Sequence, residues 1–187
     1  MAQEVINTNL NSNNALLLAM EQQFGITHPV DQQKLMQFFH FEIISKGNFF
    51  QKQNQSVHRL SFIQSGYLRI FADAGDKTVT QWIASPGYFM TDLAGYMYQQ
   101  PAKWSMEALS DLEVFTLFRK DYDRLHSVFP QWPQLEKLFI VHCFGTLEQR
   151  MFNHLSMTAE ERYHIGLIFI PSYLTMLLYN TLRQCLA

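Results

Sequence analysis

Short segments in which apolar and polar residues alternate occupy the middle of the chain, from about residue 41 to about residue 119. Alternation with a period of two is typical of half-buried β-strands. The clearest stretch is residues 60–92, in which Gly66, Gly75 and Gly87 separate the alternating segments. Glycine adopts a positive φ at little cost, so these positions are suited to chain reversals. The pattern predicts a small antiparallel β-roll.

Apolar residues at three- and four-residue steps flank this region on both sides and indicate helices. Asn11 to Asn14 offer N-cap candidates for the first helix, and Gly25 ends it. Leu35, Phe38 and Phe39 are expected to point inward from the second. The predicted helices are residues 15–24, 30–39, 120–129 and 131–154.

The order of residues in the β-roll carries a resemblance to a known family. Phe62-Ile63, Gly66 and Leu68-Arg69-Ile70 are followed by Trp82, Ala84, Pro86-Gly87 and Phe89. This order resembles the cyclic-nucleotide-binding domain of Crp/Fnr transcription regulators, especially divergent members in which Thr-Asp follows the last phenylalanine. It extends from about residue 41 to about residue 163, and each of its motifs is short.

The resemblance implies an α+β fold, a jelly-roll-like antiparallel β-roll with N-terminal helices. We assign residues 1–130 to a cyclic-nucleotide-binding-like domain, residues 131–155 to a dimerisation helix, and residues 156–187 to a short C-terminal helical segment. This last segment resembles a truncated or incomplete helix-turn-helix.

The family's effector pocket grips a cyclic phosphate with the N-terminus of a short helix and with an arginine fork. In cyclic-AMP binders these motifs read Phe-Gly-Glu and Arg-Ser-Ala. Here Thr91 and Asp92 replace the glycine and glutamate, and Ala102 stands where the arginine would be. The residues that correspond to this pocket are Met90, Thr91, Asp92, Ala102, Lys103, Trp104 and Ser105.

These departures predict that cyclic AMP does not bind. Lys103 is a candidate substitute cation, but an ammonium lacks the planar bidentate fork of arginine. The structural alternative, which we favour, is that Thr91 and Asp92 cap a short helix from Leu93 onward and that Trp104 fills the vacated pocket. The pattern leaves open that the pocket binds another small-molecule effector, which would be planar and apolar.

A heptad-like pattern runs along residues 131–154. We call these positions the predicted seam: Leu135, Leu138, His142, Gly145, Gln149 and Phe152. The pattern fits a dimer helix or a face that packs on the chain's own β-roll. The resemblance favours a homodimer, because family members dimerise through a long helix at this place.

The end of the chain resembles the family's DNA-binding module in part. Residues 159–163 and 172–174 resemble its motifs, but the connection between them is compressed, the turn glycine is absent and Arg183 is the only basic residue after Arg162. The candidate DNA contacts are Asn180, Thr181, Arg183 and Gln184. Two interpretations stay open: a degenerate module, or a segment from which residues are missing.

Composition and charge fit a globular protein of the cytoplasm. Of the 187 residues, 48% are hydrophobic and the formal net charge is −2, so DNA binding would need a local basic face. The two cysteines, Cys143 and Cys185, form no CxxC motif, and the N-terminus does not resemble a signal peptide. The apolar run of residues 165–182 is interrupted by Pro171, which favours a short soluble helix over a membrane span.

Catalytic and metal chemistry find little support in the sequence. The seven histidines include no H-x-H or H-x-x-x-H pair, so we expect no metal site and no cofactor. The pair His142-Cys143 lacks an identifiable third group that would orient a nucleophile. We therefore expect a dimeric Crp/Fnr-type regulator rather than an enzyme. A scaffolding protein that has lost DNA binding is the alternative, and a cupin-like enzyme is a distant one.

Overall fold

The computed structural model describes residues 15–158 and 160–161. The N-cap candidates Asn11 to Asn14 and the DNA-binding candidates Asn180, Thr181, Arg183 and Gln184 lie outside these residues, as does the apolar run 165–182. The chain divides into two compact units, Met1–Phe139 and Ile140–Ala187. We describe each unit by itself.

The described residues include helices α1 to α5, and residues 160–161 are also helical. Helix α1 includes residues 15–24. The others are α2 (Pro29–Met36), α3 (Leu93–Tyr98), α4 (Arg119–Val128) and α5 (Trp132–Ser156). The backbone N–H of Gly25, at φ +74°, donates to the carbonyl of Glu21 and ends α1. The glycine stop predicted for α1 is confirmed.

Eight strands form two four-stranded antiparallel sheets. They are β1 (Phe39–Ile44), β2 (Phe49–Gln51), β3 (Arg59–Ser65), β4 (Leu68–Ala74), β5 (Lys77–Ala84), β6 (Phe89–Met90), β7 (Ser105–Ala108) and β8 (Leu112–Phe118). The first sheet has the order β1-β8-β3-β6 and the second the order β2-β7-β4-β5. Apart from the β4–β5 hairpin, strands that are consecutive in the sequence are not neighbours in either sheet, so the chain crosses between the sheets as in a jelly roll. The predicted α+β fold with a β-roll is confirmed.

A buried apolar layer between the two sheets holds the β-roll together. Ile63, Met90 and Val114 come from the first sheet, and they share one buried cluster with Leu68, Ile70 and other residues of the second. Alternation placed these side chains inward, because successive residues of a strand point to opposite faces. At about 25 cal/mol per Å² of apolar area removed from water, this layer is a main source of the domain's stability.

An aromatic cluster packs the first turns of α5 against α1 and β6 within the unit Met1–Phe139. The ring centroid of Phe24 lies 4.5 Å from that of Phe139, 5.2 Å from that of Phe89 and 5.5 Å from that of Trp132. Trp132 and Phe139 are buried, as are the inward residues predicted for the second helix, Leu35, Phe38 and Phe39.

Several predicted element boundaries are wrong by one to three residues. Helix α2 ends at Met36 and not at residue 39, because Phe39 pairs with Leu117 of β8 and begins strand β1. The β-roll therefore opens two residues earlier than the alternation indicated. Helices α4 and α5 differ from their predictions by one or two residues at each end. Tertiary pairing overrides local preference at such ends.

Gly66 satisfies a turn that no other residue would fit without rearrangement. It has φ +88°, and a Cβ built on it would lie 2.2 Å from the carbonyl oxygen of Asp111. Gly75 and Gly87 also have positive φ values, so the interpretation of the three glycines as reversal points is confirmed.

Candidate functional site

The residues that correspond to the family's effector pocket converge around one carboxylate. Asp92 follows β6 and is the N-cap of α3, and it is only 5% exposed. Its Oδ1 accepts a hydrogen bond from the backbone N–H of Gly95 at 3.0 Å. Its Oδ2 accepts from the backbone N–H of Lys103 at 2.7 Å and of Trp104 at 3.3 Å. One carboxylate therefore occupies three backbone donors from two separate segments.

Three backbone N–H groups that converge on one point form an anion-binding site. In this chain the anion is the side chain of Asp92 itself. Because charge-assisted hydrogen bonds are stronger than neutral ones, the carboxylate also fastens α3 to the segment that leads into β7. The predicted capping role of Asp92 is confirmed.

The other pocket candidates surround Asp92 without adding a phosphate grip. Thr91 does not cap α3 as expected: its hydroxyl donates to the carbonyl of Arg59 at 2.9 Å. Ala102 is buried and has no group that could replace a guanidinium. Lys103 meets Asp92 through its backbone, and its ammonium lies 5.1 Å from the centroid of the Trp104 ring.

Trp104 and Ser105 complete the local packing. Trp104 is partly buried against the apolar layer between the sheets, which fits the expectation that it fills the pocket. Ser105 Oγ accepts a hydrogen bond from the backbone N–H of Gln53 at 3.0 Å. Met90 belongs to the same apolar layer and ends strand β6. The sequence thus named residues that the structure brings together.

A second cluster of polar and aromatic side chains links α3, α4 and the start of α5. The guanidinium of Arg119 lies 4.3 Å from the ring centroid of Tyr122 and 5.4 Å from that of Tyr96. The hydroxyl of Tyr122 donates to Glu136 Oε1 at 2.5 Å. Burial raises the pKa of both tyrosines, and the acceptor Glu136 adds to the pKa increase of Tyr122. Both phenols therefore stay neutral at ordinary pH.

Helix α5 carries exposed apolar residues on a face other than the predicted seam. Of the seam, His142, Gly145 and Gln149 are exposed and are not large apolar residues, whereas Leu138 and Phe152 are exposed apolar residues at 44% and 64%. We use the name apolar stripe for five exposed residues that recur at three- and four-residue steps: Ile140, Phe144, Leu147, Met151 and Leu155. At 100° per residue the stripe lies roughly 150° around the helix from the seam residues His142, Gly145 and Gln149. Both remain candidate interfaces.

The start of the predicted seam has contacts within the unit Met1–Phe139. Leu135 is partly buried, and Leu138 Cδ1 would lie 3.4 Å from a Cβ built on Gly25 at the end of α1. The sequence did not separate the inward side of α5 from its exposed side, because apolar residues occur around the whole helix.

Metal ligands do not cluster in the part of the chain that the structure describes. No group of three or more His, Cys, Asp or Glu side chains is placed there to hold a metal ion. None of the described helices is long and apolar enough to span a bilayer.

Arg59 is a residue that the sequence analysis missed. Its side chain is largely buried, its Nη2 donates to the carbonyl of Phe50, and its Nη1 lies 3.8 Å from Glu42 Oε2. Burial lowers the pKa of its guanidinium, and the nearby Glu42 opposes that shift. A signal was present: Lys52, His58 and Arg59 flank a polar, turn-rich segment that lies between the mostly apolar residues 49–50 and 60–63.

Comparison with solved structures identifies the fold. A cyclic nucleotide-binding domain from Methylobacillus flagellatus matches 76% of this chain and 81% of its own, with a TM-score of 0.68 and 12% identity. This chain has the fold of a cyclic-nucleotide-binding domain. The catabolite activator protein of Thermus thermophilus aligns over 71% of this chain with a TM-score of 0.60 and 18% identity.

The sensor domain of the transcriptional regulator DNR from Pseudomonas aeruginosa shares the cyclic-nucleotide-binding fold. It covers 78% of this chain and 93% of its own, with a TM-score of 0.55 and 16% identity. No protein-family profile and no curated protein sequence matches the chain. The chain spans about three fifths, 61%, of the catabolite activator protein.

Proposed function

We propose that this protein is an effector-sensing β-roll of a cytoplasmic, dimeric Crp/Fnr-type transcription regulator, without enzymatic activity, in which cyclic AMP is not the effector. The fold supports the sensor role, since its structural neighbours include sensor and cyclic-nucleotide-binding domains. The occupied donors around Asp92 support the exclusion of cyclic AMP. This carboxylate is the observation on which the proposal rests.

Three effects act against a cyclic phosphate at this place. The carboxylate of Asp92 already accepts the three backbone N–H bonds that would hold the phosphate. Its negative charge would repel a second anion. Ala102 supplies no guanidinium, and charged hydrogen bonds of that kind contribute about 1.5–3 kcal/mol each. A nucleotide would have to displace Asp92 and leave its carboxylate buried and unpaired, which is costly.

Titration calorimetry with cyclic AMP tests the exclusion. We expect no heat of binding beyond dilution at nucleotide concentrations that saturate ordinary cyclic-AMP receptors. A micromolar dissociation constant would contradict the proposal. In that case Lys103→Ala should abolish binding if the ammonium supplies the phosphate contact, and the exposed Lys77→Ala would serve as the matched control.

Self-association through α5 is the second part of the proposal. The apolar stripe is exposed along about four turns, from Ile140 at 36% to Leu155 at 78% of full exposure. A contiguous exposed apolar face of this kind is typical of an interface. The partner that we propose for this face is α5 of a second copy of the chain, because the resemblance places a dimerisation helix at this position. We propose pairing along the apolar stripe, and the predicted seam is the competing choice.

DNA binding is the part of the proposal that depends on residues outside the described ones. If the sequence holds a degenerate DNA-binding module, binding to duplex DNA should be weak and strongly salt-dependent, because Arg183 is the only basic side chain among its candidate contacts. Arg183→Ala should then abolish it. If the full protein contains a longer module, it should bind a two-fold symmetric operator with half-sites about one helical turn apart. A salt titration with a promoter fragment, on protein of verified mass, separates the two.

A further inference from the structure

A cleft separate from the Asp92 pocket opens beside strand β2. Its volume is about 420 Å³, within the range of small-molecule sites. The wall is formed by β2, the loop that follows it, the start of β3 and the end of β8. We call this the cationic cleft, and its lining residues are Phe49, Phe50, Gln51, Lys52, Gln55, Ser56, His58, Arg59 and Phe118.

The lining has a one-sided charge. Lys52, His58 and Arg59 contribute basic groups, and none of the nine lining residues is acidic. Glu42 is the acidic neighbour, at 3.8 Å from Arg59 Nη1. A cleft with one sign of charge and low-dielectric walls concentrates ligands of the opposite sign. The ligand class that complements it is therefore anionic.

Each phenylalanine ring of the cationic cleft has a cation close to it. Lys52 Nζ lies 4.9 Å from the centroid of Phe49, and Arg59 Cζ lies 4.3 Å from that of Phe50. Lys120 Nζ lies 5.4 Å from the centroid of Phe118. Contacts of this kind hold the cationic groups against the wall, so less side-chain entropy is lost when a ligand binds.

Arg59 is positioned to donate to a ligand. A guanidinium has five N–H donors, of which one bonds the Phe50 carbonyl. The planar fork suits carboxylate and phosphate oxygens in particular. The backbone carbonyl of Arg59 accepts from Thr91, which fixes the start of β3 beneath the side chain.

The loop that forms the outer wall is held by hydrogen bonds. The side-chain amide of Gln51 donates to the carbonyl of Lys52 at 3.0 Å. Asn54 N–H donates to the carbonyl of Ala102 at 2.8 Å, and Ala102 N–H returns a bond to Gln55 at 2.8 Å. The wall is therefore preorganised, and it is joined directly to the segment whose N–H groups hold Asp92.

We propose that the cationic cleft binds a small organic anion. Its carboxylate or phosphate group lies between Lys52 and Arg59, and its apolar body lies against the rings of Phe49 and Phe118. The two acidic groups share the chemistry that the guanidinium and ammonium recognise. This site does not depend on the Asp92 pocket, so its test stands apart from the test with cyclic AMP.

An NMR titration of the isotope-labelled full chain tests the site with defined probes. The ligands are phenyl phosphate, benzoate, inorganic phosphate and the neutral benzyl alcohol. We expect saturable shifts of the amide signals of residues 49–59 with phenyl phosphate, benzoate or both. The tighter of these two identifies the acidic group. Equal affinity for inorganic phosphate would overturn the apolar contact, and equal affinity for benzyl alcohol would overturn the anionic one.

Lys52→Gln is the decisive variant, because Lys52 is exposed and its replacement should leave the fold intact. We expect the affinity for the bound anion to fall roughly tenfold through loss of a charged hydrogen bond. Lys77→Gln, an exposed lysine on β5 outside the cleft, is the matched control and should bind as wild type does. Equal binding by Lys52→Gln and wild type would refute the site, as would the absence of a saturable response to both aromatic anions.

Discussion

The carboxylate of Asp92 accepts a hydrogen bond from the backbone N–H of Lys103 at 2.7 Å, across eleven positions of the chain. This bond joins the N-terminus of α3 to the segment before β7. The resemblance to Crp/Fnr regulators predicts that these two segments would flank a cyclic phosphate. Here a side chain of the protein bonds to the donors of both.

Replacement of Asp92 should destabilise the protein. Asp92→Ala removes the N-cap of α3 and leaves three backbone N–H groups with no acceptor. We expect a loss of about 2–4 kcal/mol in the free energy of unfolding. Urea denaturation measures it. Asp76→Ala, in an exposed turn, is the control and should change stability by less than about 0.5 kcal/mol. Equal effects of the two substitutions would disprove the structural role.

The same substitution at two helical glycines should have opposite effects. A Cβ on Gly95 would lie 2.4 Å from Val57 Cγ2, so Gly95→Ala should destabilise the protein by about 1–3 kcal/mol. A Cβ on Gly145 meets nothing within 4 Å, so Gly145→Ala should stabilise α5 by about 0.5–1 kcal/mol. Thermal unfolding of both variants checks the signs. If Gly145→Ala instead weakens self-association, the predicted seam is the interface.

The choice between the two faces of α5 can be made with a pair of aspartates. Phe144→Asp places a carboxylate on the apolar stripe, and His142→Asp places one on the predicted seam. A carboxylate in a desolvated interface is strongly unfavourable. We expect Phe144→Asp to give monomers in light scattering, while His142→Asp stays dimeric. The reverse result would favour the seam, and a monomeric wild type at micromolar concentration would exclude both.

Cys143 should react slowly with alkylating reagents. Burial raises the pKa of its thiol to about 11, although Arg150 opposes the shift. The thiolate is the reactive form, so at pH 8 its fraction should be roughly 100-fold lower than for an ordinary thiol. The rate of iodoacetamide labelling of a Cys185→Ser variant should therefore rise by about that factor when the protein is unfolded in guanidinium. Equal rates in the folded and unfolded protein would contradict the shift.

Alternation and turn glycines were sufficient to predict the β-roll, because the period of a strand and the positive φ of a turn are local properties. They correctly predicted chain reversals at Gly66, Gly75 and Gly87, and helical spacing correctly predicted that Leu35 is buried. The positions of the family motifs also assigned Asp92, Ala102 and Lys103 to one pocket, since the order of motifs along a chain follows the order of strands in the fold.

Tertiary structure alone decided which atoms meet in that pocket and which residues at the start of α5, Trp132 and Phe139, are buried. The sequence could not show that the Asp92 carboxylate takes N–H bonds from Lys103 and Trp104, since contacts across a fold depend on the path of the chain. It could not separate the apolar stripe from the predicted seam, because apolar residues surround α5. The sequence also could not predict the cationic cleft, because Lys52, Arg59 and Phe118 come together only when β2, β3 and β8 are in place.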